Sequence, residues 1–216
     1  MPCLLLDVDG VILRDRLLLS HVSHNASKYL SNKLPKCTNA PLLNRQLYMA
    51  HGHTARGLQS VFRVDSSDYN EKVYDKSLMT HLADVLGSKN FRYDAEVINN
   101  MILQGWPVTL FSNAPYCWVD KVARAISDKV KVRCPGPILS VSHLKPDIGF
   151  YREFDECTDY YFVDDSLKNL GTVRKMNNWY PIYFNEDYDP SVWCPQISSI
   201  RELHTSILGY NIPGQT

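Results

Sequence analysis

The sequence predicts an α/β fold in which helices cover a doubly wound parallel sheet and a helical cap is inserted near the start of the chain. Three observations predict it. Nearly continuous apolar segments recur, as is typical of strands buried on both faces. Amphipathic helical patterns alternate with these segments, which indicates right-handed crossover units. Polar side chains follow the segments, and ligands of such sheets bind beyond the carboxyl ends of the strands.

Strand and helix segments alternate through most of the chain. Strands are expected in CLLLDVDGVIL at the start and then in GWPVTLFSNA, KVKVRC with the connection GPILSV, DYYFVDDS and WYPIYF. Helical patterns separate them over residues 93–104, 115–129, 166–177 and 197–208. After the first strand, apolar residues instead recur at helical spacing through three successive segments. We therefore expect residues 14–90 to form the cap, and residues 1–13 with 91–216 to form the α/β core.

Charge and composition narrow the classes of partner. Of the 216 residues, 23 are lysine or arginine and 23 are aspartate or glutamate, so the formal net charge is zero. This balance argues against a nucleic-acid polymer or an anionic membrane as the main partner. The sequence contains neither an apolar stretch of membrane-spanning length nor a signal-peptide pattern. With six scattered cysteines and no CxxC pair, we expect a cytoplasmic protein with reduced thiols.

Two aspartates, Asp7 and Asp9, follow the first apolar segment and precede the turn that Gly10 marks. Carboxylates at the end of a buried strand are unfavourable, because they lose hydration unless a cation compensates them. A divalent metal with oxygen ligands would offset that loss, so the pair suggests an enzyme. The simpler alternative is that both are turn residues preceding a glycine.

Four short motifs resemble those of the haloacid dehalogenase-like hydrolase superfamily and occur in that family's order. They are DVDGV at 7–11, LFSNA at 110–114, LKPD at 144–147 and FVDDS at 162–166. Within the superfamily, the chain looks most like the pyrimidine 5′-nucleotidase-type phosphatases, on the stretches YFVDDSLKNLGTVRKM at 161–176 and YMAHGHTARGL at 48–58. The resemblance implies a Rossmann-like core with an inserted cap, and a magnesium-dependent phosphatase activity.

The resemblance also implies roles for residues at the ends of the predicted strands. Asp7 would be the nucleophile that forms an aspartyl-phosphate, and Asp9 would protonate the leaving oxygen and then activate water. Lys145 would neutralise the nucleophile and the charge that develops on the phosphoryl group, and so would also bind the phosphate. Ser112 and Asn113 would bind the phosphate at the positive end of the following helix. For the LFSNA motif, the alternative is that these residues only cap the N-terminus of the following helix.

Magnesium is the cofactor that the resemblance implies. Its ligands would be Asp7, Asp165, Asp164 and Asp9, the last through its backbone carbonyl. Asp165 would be the principal ligand of the Asp-Asp pair, with Asp164 in direct or indirect support. Asn169 stands where many relatives carry another carboxylate, which makes the site less negative. Alternatively, Asp-Asp-Ser before a helix could be only an N-cap cluster.

The cap offers further candidates for the site. We expect His51, His53, Thr54 or Arg56 to line the cap face over the active site. Zinc is a poor alternative, because two histidines without nearby cysteine or acidic ligands make an incomplete site. The four tryptophans, Trp118 among them, are interpreted as core or cap-interface packing rather than as base-stacking surfaces.

The leading hypothesis is hydrolysis of a small phosphomonoester, with a pyrimidine nucleoside 5′-monophosphate as the first choice. A sugar phosphate or pyridoxal phosphate is the nearest alternative. A phosphotransferase or mutase would use the same residues but would shield the phosphoenzyme from water. A dehalogenase would need neither Asp9 as an acid nor the metal carboxylates. A non-catalytic phosphate-binding module would usually have lost one of these groups, and the chain has them all.

Overall fold

The computed structural model describes residues 1–134 and 144–209, and its centre is a parallel sheet. Six strands lie in the order β3-β2-β1-β4-β5-β6. They are β1 (Cys3–Leu6), β2 (Val108–Phe111), β3 (Lys131–Arg133), β4 (Tyr160–Asp164), β5 (Trp179–Phe184) and β6 (Gln196–Ile197). The chain moves outward from β1 to one edge and then returns to β4 on its other side. This reversal between β1 and β4 is a topological switch point, where such sheets bind ligands.

Helices follow the strands and also fill the interval between β1 and β2. They are α1 (Arg16–Lys33), α2 (Ala40–His51), α3 (Thr54–Gly57), α4 (Tyr69–Val73), α5 (Lys76–Leu86), α6 (Lys89–Leu103), α7 (Tyr116–Ile126), α8 (Ile148–Tyr151), α9 (Leu167–Val173) and α10 (Leu203–Gly209). A π-helical segment, Leu58–Phe62, follows α3, and a 3₁₀ turn, Ile200–Glu202, precedes α10. No helix of the described residues is long and apolar enough to span a membrane.

The two faces of the sheet are buried against different helices, as the continuous apolar strands predict. Successive side chains of a strand point to opposite faces. Leu4 and Leu6 accordingly belong to one apolar cluster, whereas Leu5 between them belongs to another. All three side chains are fully buried. The strand is thus held from both sides, which fixes where its carboxyl end lies.

Of the six helices between β1 and β2, the first four, α1 to α4, form an apolar cluster of their own. It includes Leu30, Leu47, Leu58 and Val73, and Leu144 from the loop before α8 also joins it. Three residues at the ends of the insertion instead belong to the sheet's cluster, namely Leu18, Leu78 and Leu82. The domain limits at residues 14 and 90 stay a prediction, because the ends of the insertion pack on the core.

The predicted helix over 197–208 is wrong at its start. Ile197 lies in β6, where it pairs with Phe184 of β5, and helical structure begins only at Ile200. A two-residue strand has no periodicity of its own, so the apolar pattern of the next helix conceals it.

The other predicted helices differ from the observed ones at their ends. The helix predicted from residue 93 begins at Lys89, because Ser88 caps it through Phe91 N–H. Those predicted to end at 129 and 177 stop at Ile126 and Val173. The predicted connection GPILSV lies outside the described residues.

Candidate active site

Three of the predicted carboxylates meet at the switch point of the sheet. Asp7 follows β1 and Asp164 ends β4, and the backbone N–H of Asp7 donates to the carbonyl of Val163 at 2.9 Å. This pairing places the two aspartates side by side. One carboxylate oxygen each from Asp7, Asp164 and Asp165 lies within 4.8 Å of the others. The chain thus concentrates negative charge where parallel sheets bind ligands.

A buried lysine lies between two of these carboxylates. The Nζ of Lys145 is 2.9 Å from Oδ1 of Asp7 and 2.7 Å from Oδ2 of Asp164, and its side chain is 1% exposed. The side chain of Asn113 fixes its backbone, accepting from Lys145 N–H at 2.8 Å and donating to its carbonyl at 2.9 Å. Asn113 therefore orients the backbone of Lys145 with its side chain.

Ser112 occupies the end of β2 beside these groups and is almost fully buried. Its Oγ accepts the N–H of Ala114 at 3.1 Å, so its own hydroxyl proton stays available to a ligand. Pro115, predicted inside the helix, is instead the extended residue before α7. The sequence Ser-Asn-Ala-Pro therefore forms the loop between β2 and α7, with Ser112 and Asn113 facing the cavity.

The neighbouring Asp164 and Asp165 have different surroundings. Asp164 is fully buried, and its two oxygens accept from Ser166 N–H, from the Asn169 amide and from Lys145. These donors satisfy the acceptor capacity of a carboxylate. Asp165 is the more exposed of the two, and it lines the cavity.

Gly10 makes room for Asp165. Its φ is +93°, a conformation that favours glycine, and a Cβ built on it would lie 2.1 Å from Asp165 Oδ2. The turn after β1 therefore has two reasons to require glycine at this position, a backbone angle and a close approach to a carboxylate.

The electrostatics of this cluster indicate a shortage of positive charge. Burial raises the pKa of Asp7 well above its usual range, although Lys145 opposes the shift. Loss of hydration and the charge of Asp164 raise the pKa of Asp165 to about 7. Burial disfavours the ammonium of Lys145, but Asp164 and Asp7 outweigh that effect and raise its pKa. Three carboxylates around one ammonium make an all-oxygen donor set that fits a hard divalent cation.

Asp9 lines the same cavity but has a separate partner. Its Oδ1 accepts from Trp118 Nε1–H at 3.0 Å. Burial raises the pKa of Asp9 to about 6, and the hydrogen bond from Trp118 opposes this shift. The interpretation of Trp118 as packing describes its fully buried ring but misses its N–H group. No sequence motif predicts this contact, because the indole reaches Asp9 only through the packing of α7.

A cavity of about 500 Å³ extends from these groups to the cap. Its core side includes Asp7, Asp9, Ser112, Lys145 and Asp165. Its cap side is lined by apolar residues (Leu19, Val22, Ala26), tyrosines (Tyr48, Tyr69, Tyr74) and polar residues that include Ser23, Asn44, His53 and Thr54. Most of these cap residues carry no motif, so the sequence gives no signal that would single them out.

Two of the four cap candidates line the cavity, His53 and Thr54. Nδ1 of His53 accepts from Ala55 N–H at 3.2 Å, and burial together with Arg56 lowers its pKa to about 4. His53 is therefore a neutral group at physiological pH. Thr54 donates to Oδ1 of Asn44 at 2.6 Å, which turns the Asn44 amide nitrogen to the opposite side.

The other two cap candidates, His51 and Arg56, do not line the cavity within the ranges the structure describes. Arg56 forms an ion pair with Asp147 of the core at 3.2 Å. Close by, Gly52 packs so tightly on the core that an added Cβ would lie 2.9 Å from the Lys145 carbonyl. Arg56 and Gly52 thus belong to the contact between the cap and the Lys145 loop.

Comparison with solved structures identifies the fold. The chain is similar to CbbY from Rhodobacter sphaeroides in complex with phosphate, with 15% identity, a TM-score of 0.60 and coverage of 94% of this chain and 96% of that one. It is similar to a HAD phosphatase from Thermococcus onnurineus, with 17% identity, a TM-score of 0.58 and coverage of 97% and 98%. An L-2-haloacid dehalogenase from Xanthobacter autotrophicus, with chloropropionic acid covalently bound, matches at 10% identity, a TM-score of 0.53 and coverage of 97% and 100%.

These likenesses confirm the predicted fold class, an α/β fold of the haloacid dehalogenase-like type. No protein-family profile matches the sequence, and no curated protein does either. The solved structures with this fold include both phosphatases and dehalogenases, so the reaction has to be argued from the site.

Proposed function

We propose that this protein is a magnesium-dependent phosphatase that hydrolyses small phosphomonoesters through an aspartyl-phosphate on Asp7. The observation that carries this proposal is the cluster of Asp7, Asp164 and Asp165 at the switch point of the sheet, in which Lys145 pairs with the first two. It combines a nucleophile, a buried cation and an all-oxygen donor set beneath one cavity. A phosphate monoester needs such concentrated charge, because its uncatalysed hydrolysis is among the slowest reactions known.

The residues of the site divide the reaction into two steps. In the first, Asp7 attacks phosphorus, the bond to the leaving oxygen breaks, and Asp9 gives that oxygen a proton. In the second, Asp9 takes a proton from water, which attacks the phosphoenzyme and releases inorganic phosphate from Asp7. Lys145 and the Ser112 hydroxyl stabilise the phosphoryl oxygens in both steps.

Magnesium would be held by Asp7, Asp165 and the backbone carbonyl of Asp9, with Asp164 in support. When bound, it supplies positive charge to the phosphoryl oxygens. The four hydrogen bonds that Asp164 already accepts, from three donor groups, favour Asp165 as the direct ligand of the pair. Asp164 then orients Lys145, which keeps the cation beside Asp7.

The cavity favours an uncharged, partly aromatic leaving group. Tyrosine rings and apolar side chains form much of its cap side. His53 is neutral there, and Lys145 is already paired with two carboxylates. Of the described lining residues, Arg45 offers a further cation, and its side chain is exposed. A second anionic group on the substrate would lose its hydration here without gaining a buried cation as partner, which is unfavourable. A nucleoside carries no such charge and avoids this cost. A pyrimidine nucleoside 5′-monophosphate is therefore the first choice.

The decisive experiment is a phosphate-release assay on uridine and cytidine 5′-monophosphates, pyridoxal phosphate, a hexose phosphate, phosphoglycolate and an aryl phosphate. We expect turnover with magnesium and none with a chelator, and the highest kcat/KM for the pyrimidine nucleotides. Asp7→Asn is the matched control, since it keeps the shape of the site but loses the nucleophile. Absence of magnesium-dependent turnover on all of these esters would contradict the proposal.

A phosphotransferase is the second candidate, because the same residues would serve it. An added alcohol distinguishes the two reactions, since a transferase would form a new ester in place of inorganic phosphate. We expect free phosphate to remain the main product, because nothing in the proposed mechanism excludes water from Asp9.

A further inference from the structure

We propose that Trp118 is a positioning residue that holds Asp9 so that a single oxygen, Oδ2, faces the leaving group. The inference rests on the proposed function, in which Asp9 is the general acid. It assigns a task to a residue outside the four motifs that carry the family resemblance. The observation behind it is the 3.0 Å hydrogen bond from Trp118 Nε1 to Asp9 Oδ1.

The indole is fixed in place before any substrate binds. Trp118 is fully buried in α7, within the large apolar cluster on one face of the sheet. Its ring also packs edge-on against Tyr74 of the cap, with ring centroids 5.2 Å apart. A buried aromatic side chain with contacts on both sides has little freedom to rotate. The direction of its N–H bond is therefore set by the fold.

The chemistry of the indole makes the contact selective for one carboxyl oxygen. An indole N–H is a donor only, so it can pair only with an oxygen that offers a lone pair. When Asp9 is the neutral acid, its carbonyl oxygen is the better acceptor, so the indole N–H favours Oδ1 as that oxygen and the proton on Oδ2. Without Trp118 the carboxyl group could rotate and present either oxygen, which would lower the fraction of productive orientations.

The kinetic consequence depends on the leaving group. An alkoxide needs a proton as it departs, whereas a nitrophenolate departs readily without one. The ratio kcat/KM includes the steps up to the departure of the leaving group and excludes hydrolysis of the phosphoenzyme. A fault in the orientation of Asp9 should therefore lower kcat/KM for alkyl esters while sparing p-nitrophenyl phosphate.

The test replaces Trp118 with β-(benzothiophen-3-yl)alanine, which keeps the shape of the indole but has sulfur in place of N–H. Trp118→Phe serves as a second variant that ordinary mutagenesis can provide. We expect both to lower kcat/KM for a nucleoside 5′-monophosphate by about tenfold to a hundredfold, and to change it by less than about threefold for p-nitrophenyl phosphate. Both assays use the full chain with saturating magnesium.

Val122→Ala is the matched control for packing, because Val122 is also fully buried in α7 and has no polar group to lose. It should leave the ratio of the two kcat/KM values unchanged. An equal loss for both esters in the sulfur variant would mean a structural role and would overturn the inference. Unchanged or increased activity on the alkyl ester would overturn it as well. If the wild-type protein hydrolyses neither ester, the proposed function itself has failed.

Discussion

Asp164 and Asp165 illustrate how neighbouring identical residues acquire different tasks. The sequence predicts that the pair follows a buried strand, since FVDDS has that pattern. Which of the two opens to the cavity depends on donors from elsewhere, chiefly Lys145 and Asn169, that surround Asp164. Such donors come from separate segments, so periodicity and spacing do not reveal them. The sequence therefore predicts which residues form the candidate site, but it does not predict the hydrogen bonds among them.

The first prediction at this scale concerns Gly10. In Gly10→Ala the new Cβ would lie 2.1 Å from Asp165 Oδ2, so the carboxylate must move away. We expect magnesium affinity and kcat to fall by about tenfold or more, since a ligand displaced by an ångström is lost to the metal. Isothermal titration with magnesium and the phosphate-release assay measure the two effects.

Gly105→Ala is a matched control for Gly10→Ala. Gly105 has nearly the same φ, +94°, but a Cβ added there would meet nothing within 4 Å among the described residues. Both variants therefore share a backbone strain of about 1–2 kcal/mol, and only one disturbs Asp165. Equal magnesium affinity in the two variants would refute the prediction.

A second prediction concerns Lys145, whose ammonium compensates two buried carboxylates. Lys145→Met would leave Asp7 and Asp164 without it, and we expect the metal-free protein to lose about 3–5 kcal/mol of unfolding free energy. Urea denaturation measures the loss. Lys72→Met is the control, because Lys72 pairs with Glu71 on the surface, where removal should change stability by less than about 1 kcal/mol. Similar losses of unfolding free energy in the two variants would contradict the role of Lys145 in compensating buried carboxylates.

At the scale of elements, the structure confirms those predictions that depend on burial of both faces of a strand. Strand β1, whose three leucines are fully buried, and the segments of β2, β4 and β5 were predicted from their apolar runs. The cap face of the cavity could not be predicted in the same way. Its tyrosines lie on α2 and α4 and next to α4, so they converge only through the packing of separate helices. Helical periodicity indicates which face is apolar but not which neighbour it meets.

The contact between the cap and the core gives a prediction at this scale. Arg56 and Asp147 have side chains that are 19% and 25% exposed, so solvent screens their ion pair only in part. A double-mutant cycle with Arg56→Met and Asp147→Asn should give a coupling free energy of about 1 kcal/mol in urea denaturation. Asparagine keeps the oxygen that accepts from Gly149 N–H, so the hydrogen bond at the N-terminus of α8 is retained. A coupling free energy indistinguishable from zero would show that this ion pair does not stabilise the contact between the cap and the core.

At the scale of the whole molecule, the sheet and the inserted helices together create the cavity. The switch point brings Asp7 and Asp164 together, and the loop before α8 adds Lys145. The cap then covers the cluster with groups that are neutral or apolar, except for the exposed Arg45. Burial by the whole fold therefore causes the raised pKa values of the site, rather than any single neighbour.

This arrangement links stability to pH through the site carboxylates. In the metal-free protein, the pKa of Asp165 is raised from 3.8 to about 7, and that of Asp7 is also raised. Between pH 3.8 and about 7, the folded state therefore binds more protons than the unfolded state does. The contribution of Asp165 and Asp7 to the unfolding free energy consequently falls as the pH rises. The proposed magnesium ion would compete with those protons, because a metal binds carboxylates in their deprotonated form.

We therefore expect the rise in Tm caused by magnesium to be small near pH 5 and to grow toward about pH 8. Thermal unfolding with saturating magnesium and with a chelator, across that range, measures the difference and cancels titrations elsewhere in the chain. Asp165→Asn should reduce the difference at every pH, because it removes the carboxylate that opens to the cavity. A magnesium effect that is independent of pH, or larger in acid, would mean that the cation does not bind these carboxylates. The raised pKa values would then reflect burial alone, and the proposed metal site would have to lie elsewhere.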